Sequence, residues 1–118
     1  MTINDYIGKL SGADIDQNKI NIIEKAYACS LNELMQKIVS NCEETVFLDD
    51  DKRVLSFSEI VNAENELHVC LTQKGIIPII DCGENDFIVY HYTDGDWAKF
   101  NIIDEVLFKR KNDLTEMS

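Results

Sequence analysis

The sequence has no long apolar run. Its longest uninterrupted stretch, Ile76-Ile77-Pro78-Ile79-Ile80, falls far short of the roughly 20 residues a membrane helix needs. It also lacks an export signal, because Met1-Thr2-Ile3-Asn4-Asp5-Tyr6 carries neither a basic n-region nor a long apolar h-region. Positive charge is scarce: 11 Lys+Arg face 22 Asp+Glu, for a net charge of −11. At that charge a nucleic-acid partner would require a strong local basic patch, and the sequence shows none. Metal-ligand spacing is missing as well. The four cysteines at 29, 42, 70 and 82 form no Cys-x-x-Cys pair and have no histidine close enough to complete a zinc pattern. They read as reduced, mostly buried small hydrophobes. No Walker motif and no Gly-x-Gly-x-x-Gly is present. These absences predict a cytoplasmic protein with no cofactor, no metal, no membrane contact and no nucleic-acid partner.

The residues that are present build a core. Apolar residues make up 45% of the chain and charged residues 28%, enough to fill and cover one domain spanning 1–118. Residues 1–15 read as a leader with at most a short helix. From Asp16 the spacing of Ile20, Ile23, Ala26 and Tyr27 predicts a helix capped by Asp14 or Asp16. A second helix is expected from Ser30, with Glu33 completing a capping box ahead of the stripe Leu31, Leu34, Met35, Ile38 and Val39. Thr45–Leu48 and Arg53–Leu55 read as strands across the turn Asp49-Asp50-Asp51. Ser56 and Glu59 form another capping box. Leu67-His68-Val69-Cys70-Leu71 alternates and is expected to be extended. Ile76–Ile80 is a buried strand that tolerates Pro78 only at an edge or an irregular position.

Asp81-Cys82-Gly83-Glu84-Asn85-Asp86 is a turn by composition. Phe87–Tyr92 and Trp97–Ile102 flank Asp94-Gly95, a strong hairpin signal. A two-residue Asp94-Gly95 loop would set Tyr92 opposite Trp97, Tyr90 opposite Lys99, and Val89 opposite Phe100. One face then holds Phe87, Val89, Phe100 and Ile102, and the other Ile88, Tyr90, Tyr92, Trp97 and Lys99. Val106–Phe108 continue as strand or turn before a short terminal helix.

Catalytic chemistry finds little support. His68 and His91 are the only imidazoles, and neither stands in a nucleophile motif. The carboxylates are too abundant to single out a pair. Oxygen ligands for calcium crowd Asp81–Asp86, but not at EF-hand spacing, so a solvated turn is the better account. Binding has more to work with. Asp81 to Asp96 holds five acids and no Lys or Arg, and Tyr and Trp are enriched at interface hot spots. Asp81, Glu84, Asp86, Tyr90, Tyr92, Asp94, Asp96 and Trp97 are therefore the candidate partner-binding residues. The competing account has a helix cover that face and turn Trp97 and the tyrosines into core.

The passage Gly75-Ile76-Ile77-Pro78-Ile79-Ile80-Asp81-Cys82-Gly83-Glu84-Asn85-Asp86-Phe87-Ile88-Val89-Tyr90 resembles the SUKH superfamily of Smi/Knr-type proteins. Arg53-Val54-Leu55-Ser56-Phe57-Ser58-Glu59-Ile60 fits the same pattern, and the likeness runs from about Ile20 to Phe108. The resemblance implies an α+β fold, with a curved antiparallel sheet flanked by short helices. It also implies a non-enzymatic bacterial immunity protein that neutralises a cognate secreted toxin of basic charge, a nuclease or deaminase. Pro78 and Gly83 match as fold-defining positions. The partner expected is thus a protein, bound by a monomer or weak homodimer. The alternative is a type III secretion chaperone, an acidic homodimer that holds an effector segment.

Overall fold

The computed structural model describes residues 1–117. The fold is α+β: a six-stranded, all-antiparallel sheet with its strands in sequence order, and helices gathered mainly before it. Six helices precede the third strand: α1 (Ile3–Leu10), α2 (Gln17–Tyr27), α3 (Glu33–Ser40), α4 (Phe57–Val61), α5 (Ala63–Leu67) and α6 (Leu71–Lys74). The strands are β1 (Val46–Phe47), β2 (Arg53–Val54), β3 (Ile76–Gly83), β4 (Asp86–His91), β5 (Asp96–Asn101) and β6 (Val106–Lys111), followed by a 3-10 turn at Leu114–Met117.

Local chemistry explains most of these boundaries, including those the sequence misplaces. Residues 3–10 are core rather than leader. Thr2 and Asp5 form a reciprocal capping box, and Ile3, Tyr6 and Leu10 are buried. Asp16 caps α2 by accepting from Asn18 N and Lys19 N. The expected Ser30/Glu33 box does not form. The end of α2 uses the left-handed Ala28, and Glu24 Oε2 accepts the Leu31 amide at 2.9 Å. α3 is capped instead by Asn32, whose side chain accepts from Met35 N. The Ser56/Glu59 box forms as expected.

The stretch 67–71 is not extended. His68 takes the left-handed conformation that ends α5, and Glu64 Oε1 accepts both the amide and the hydroxyl of Thr72 in α6. Two short helices meeting at a left-handed corner bury Val69 and Leu71 in alternation, which imitates a strand's period. Among the cysteines Cys42 is buried, Cys29 and Cys82 are half-buried and Cys70 is exposed. The expectation of burial therefore fails at Cys70.

β3 is buried from Ile76 through Ile80. Pro78 sits at a register shift against β4, and the β2 ladder reaches only Ile80 and Asp81. A residue without an N–H is tolerated there, as the sequence requires. The β3–β4 turn is tighter than composition suggests. β3 continues to Gly83, and Glu84-Asn85 alone make the turn with φ of 53° and 68°. Two consecutive positive φ angles match the twist of a two-residue hairpin.

The β4–β5 hairpin pairs differently from the expected register. Tyr90 lies opposite Trp97, Val89 opposite Ala98 and Phe87 opposite Phe100. The whole register is displaced by two residues, because the loop is Tyr92–Gly95 rather than Asp94-Gly95. Tyr92 N donates to Gly75 O, and Gly95 N closes the loop onto His91 O at 2.8 Å. Strand side chains repeat every two residues, so a slip of two leaves face membership unchanged. Phe87, Val89 and Phe100 share one face, and Ile88, Tyr90, Trp97 and Lys99 the other, as expected.

Candidate functional site

The eight candidate residues do not form one site. β4 separates them into two groups, and its six residues span roughly 20 Å at about 3.4 Å per residue. Asp81, Glu84 and Asp86 lie at the β3–β4 turn. Tyr92, Asp94 and Asp96 lie at the opposite end, around the β4–β5 loop.

Tyr90 and Trp97 are excluded from any surface. They are 3% and 2% exposed, and their rings pack with centroids 4.9 Å apart. Cys29 and Asn32, in the α2–α3 connection, face Tyr90, and burial pushes its phenol above the usual pKa. The competing account of this face, with helical elements covering it, is the correct one. Tyr92 is half-buried, and its hydroxyl donates to Thr72 O at 3.2 Å.

The acids at the loop end are consumed internally. Arg110 Nε donates to Asp96 Oδ2 at 2.9 Å and Nη2 to Asp94 Oδ2 at 2.6 Å. His91 Nδ1 stands 3.0 Å from Asp96 Oδ1. Burial raises the Asp96 pKa, but the hydrogen bonds from Arg110 and His91 outweigh it and hold the carboxyl below its usual range. The path of β6 delivers Arg110 to this place. Between Lys99↔Phe108 and Trp97↔Lys111 the partner strand carries one extra residue, and Lys109 has a φ of 52°. A bulge re-aims the side chain that follows it, and here it turns Arg110 onto the two aspartates. His91, Asp94 and Asp96 are the one group of three possible metal ligands within 4.8 Å among the described residues. The Arg110 guanidinium already occupies both of its carboxylates.

The other end is open. Asn101 organises it: its amide donates to Asp86 Oδ1 at 2.8 Å, and its oxygen accepts from Ile103 N and Asp104 N. Ile102 N donates to Asn85 O, which ties the β5–β6 turn to the β3–β4 turn. On this braced frame Ile103 is 69% exposed, with Val106 52% and Phe108 40% exposed on β6. Val106 and Phe108 pair with Asn101 and Lys99 and so share one face of the sheet. Glu84 and Asp104 stand on the two joined turns, both exposed, and neither carboxylate has a partner among the described residues. β6 is also an unpaired sheet edge. Of the candidates only Glu84 and Asp86 belong to this surface. Ile103, Val106 and Phe108 were missed: their alternation is visible in the sequence, but nothing in it says that no helix covers them.

Asp81 sits one step away. Its Oδ1 accepts the Gly83 amide, and its Oδ2 is 3.6 Å from Arg53 Nη2. Arg53 is held by Glu59 through two parallel hydrogen bonds of 2.8 Å each. That pair holds the Glu59 carboxyl well below its usual range, at about 2, against the opposing effect of burial.

Comparison with protein-family models, with curated proteins and with solved structures finds no match to this chain. No helix among the described residues is long and apolar enough to cross a membrane.

Proposed function

We propose that the protein is a non-enzymatic binder of another protein, an immunity protein of the SUKH type. It captures a basic secreted toxin domain, a nuclease or deaminase, in the cytoplasm of the cell that makes it. One observation carries the reading: the braced open end of the sheet, where Ile103, Val106 and Phe108 are exposed and the unpaired acids Glu84 and Asp104 stand on the two joined turns. Grouped exposed apolar side chains mark interaction surfaces. Acids around them steer a basic partner onto the surface, and the apolar groups slow its release. The net charge of −11 favours the same encounter at long range.

The test is capture from the native host, with mass spectrometry and light scattering of what co-elutes. Wild type should hold a secreted polypeptide stoichiometrically through a basic domain and block that domain's activity. The Ile103→Asp/Phe108→Asp double variant should lose it. Equal capture by that variant would move the surface elsewhere. A homodimer carrying an effector's segment would replace the reading with the secretion chaperone. Recovery of no protein at all would overturn it.

A further inference from the structure

The open end also has a concave side. A cavity of about 260 Å³ lies between β2, β3, β4 and the helices α4 and α5. Arg53, Glu59, Asp81 and Glu66 supply its polar wall, and Leu67 and Phe87 belong to its apolar floor. Arg53 is not available to an anion, because both prongs of its guanidinium are held by Glu59. Three carboxylates around one guanidinium leave the wall with net negative charge. Two of those carboxylates have unused capacity. Asp81 Oδ2 stays 3.6 Å from Arg53, and the exposed Glu66 has no partner among the described residues. An apolar floor beneath an anionic rim suits a long cationic side chain, whose stem buries while its charged head stays near water.

We infer that this cavity receives one lysine or arginine side chain of the partner, with the stem on Leu67 and Phe87 and the head between Asp81 and Glu66. The inference rests on the proposed capture of a basic protein and names what that protein inserts.

The probe is N-acetyl-argininamide, titrated into the full-length protein while backbone amide chemical shifts are followed. N-acetyl-glutaminamide serves as the neutral control. The expected result is saturable shifts concentrated at Leu55, Leu67 and Phe87 that the control does not produce. Loss of charge-assisted hydrogen bonds in Asp81→Asn/Glu66→Gln should weaken binding about tenfold. Glu66→Gln alone, at an exposed helical position that cannot compromise folding, should weaken it by a smaller factor. Equal shifts from the neutral control, or unchanged affinity in Glu66→Gln, would overturn the assignment. Because the probe is a free amino-acid amide, failure here leaves capture of a basic partner standing. Binding here without any captured partner would sustain the cavity and remove the larger reading.

Discussion

The two ends of the sheet use the same kind of residue in opposite ways. At the loop end, Asp94 and Asp96 are locked by Arg110 and His91, Tyr92 is pinned to Gly75 and Thr72, and almost no polar capacity is left over. At the turn end, the backbone is equally well braced by Asn101, yet Glu84 and Asp104 face water beside exposed Ile103. A continuous acidic segment in a sequence is therefore not a continuous acidic surface. Asp94 and Asp96 here close the hairpin, Asp81 and Asp86 brace the opposite turn, and only Glu84 remains wholly free to meet something else. The difference lies in where cations fall: β6 supplies Arg110 to one end and nothing to the other.

The comparison breaks most visibly at the closed end. Trp97→Ala removes a fully buried ring packed at a tilt against Tyr90, and large-to-small changes of this kind cost about 3–5 kcal/mol. Urea unfolding should show that loss, with any fall in partner binding following the unfolded fraction. An unchanged midpoint would mean that the indole is not core. Glu59→Gln comes next, at about 1–2 kcal/mol, since the ion pair with Arg53 is only partly buried and solvent screens it. The sign of its pH dependence is fixed by the lowered pKa. The Glu59 contribution is fully present above the ordinary glutamate range and is lost as pH falls toward about 2. Wild type and variant should accordingly converge in stability on acidification, and parallel curves would show that the pair contributes nothing.

Gly75→Ala should be milder. Gly75 ends α6 with a φ of 71°, and a Cβ there would meet Thr93 Oγ1. Left-handed backbone costs an alanine about 1 kcal/mol. Thr93 lies on an exposed loop and can yield, so adding Thr93→Ala should recover the collision but not the backbone strain. Full recovery in the double variant would show that the backbone at 75 is unstrained.

What the sequence conveyed followed from periodicity, and what it concealed followed from tertiary competition. Two-residue alternation placed Phe87, Val89 and Phe100 on one face and Tyr90 and Trp97 on the other. That assignment survived the register error, because a slip of two preserves parity. The register itself was lost to Asp94-Gly95. Gly95 has a positive φ but Asp94 does not, and the tight turn forms instead at Glu84-Asn85, where both do. Tyr92 falls instead in the loop that Gly95 N closes onto His91 O, and its amide is held by Gly75, 17 positions away. The box at Ser30 failed because α3 starts two residues later, with Asn32 as its cap. The Thr2/Asp5 box is legible in the sequence, although residues 1–15 as a whole resemble a leader. Of the candidate residues, Glu84 and Asp86 lie on the open turn end, whereas Tyr90 and Trp97 could not be assigned to core without knowing that the α2–α3 connection folds over them.

The smallest expected effect on stability comes at the open end, and it sharpens the comparison most. Ile103 is 69% exposed at a turn whose hydrogen bonds come from its backbone. Replacing it with aspartate removes little buried area and disturbs no partner. Such surface changes stay within about 0.5 kcal/mol, so Ile103→Asp should unfold at the wild-type urea midpoint. Its partner, once captured, should nevertheless dissociate faster, because the substitution removes an apolar anchor while adding charge of the favourable sign. Glu84→Lys, in contrast, should slow association and make it less sensitive to salt while leaving dissociation nearly unchanged. The two variants thus separate anchoring from steering at neighbouring positions on one frame. A single common effect on both rates would mean that the open end acts as one rigid unit, with no division between its apolar crest and its acidic flanks.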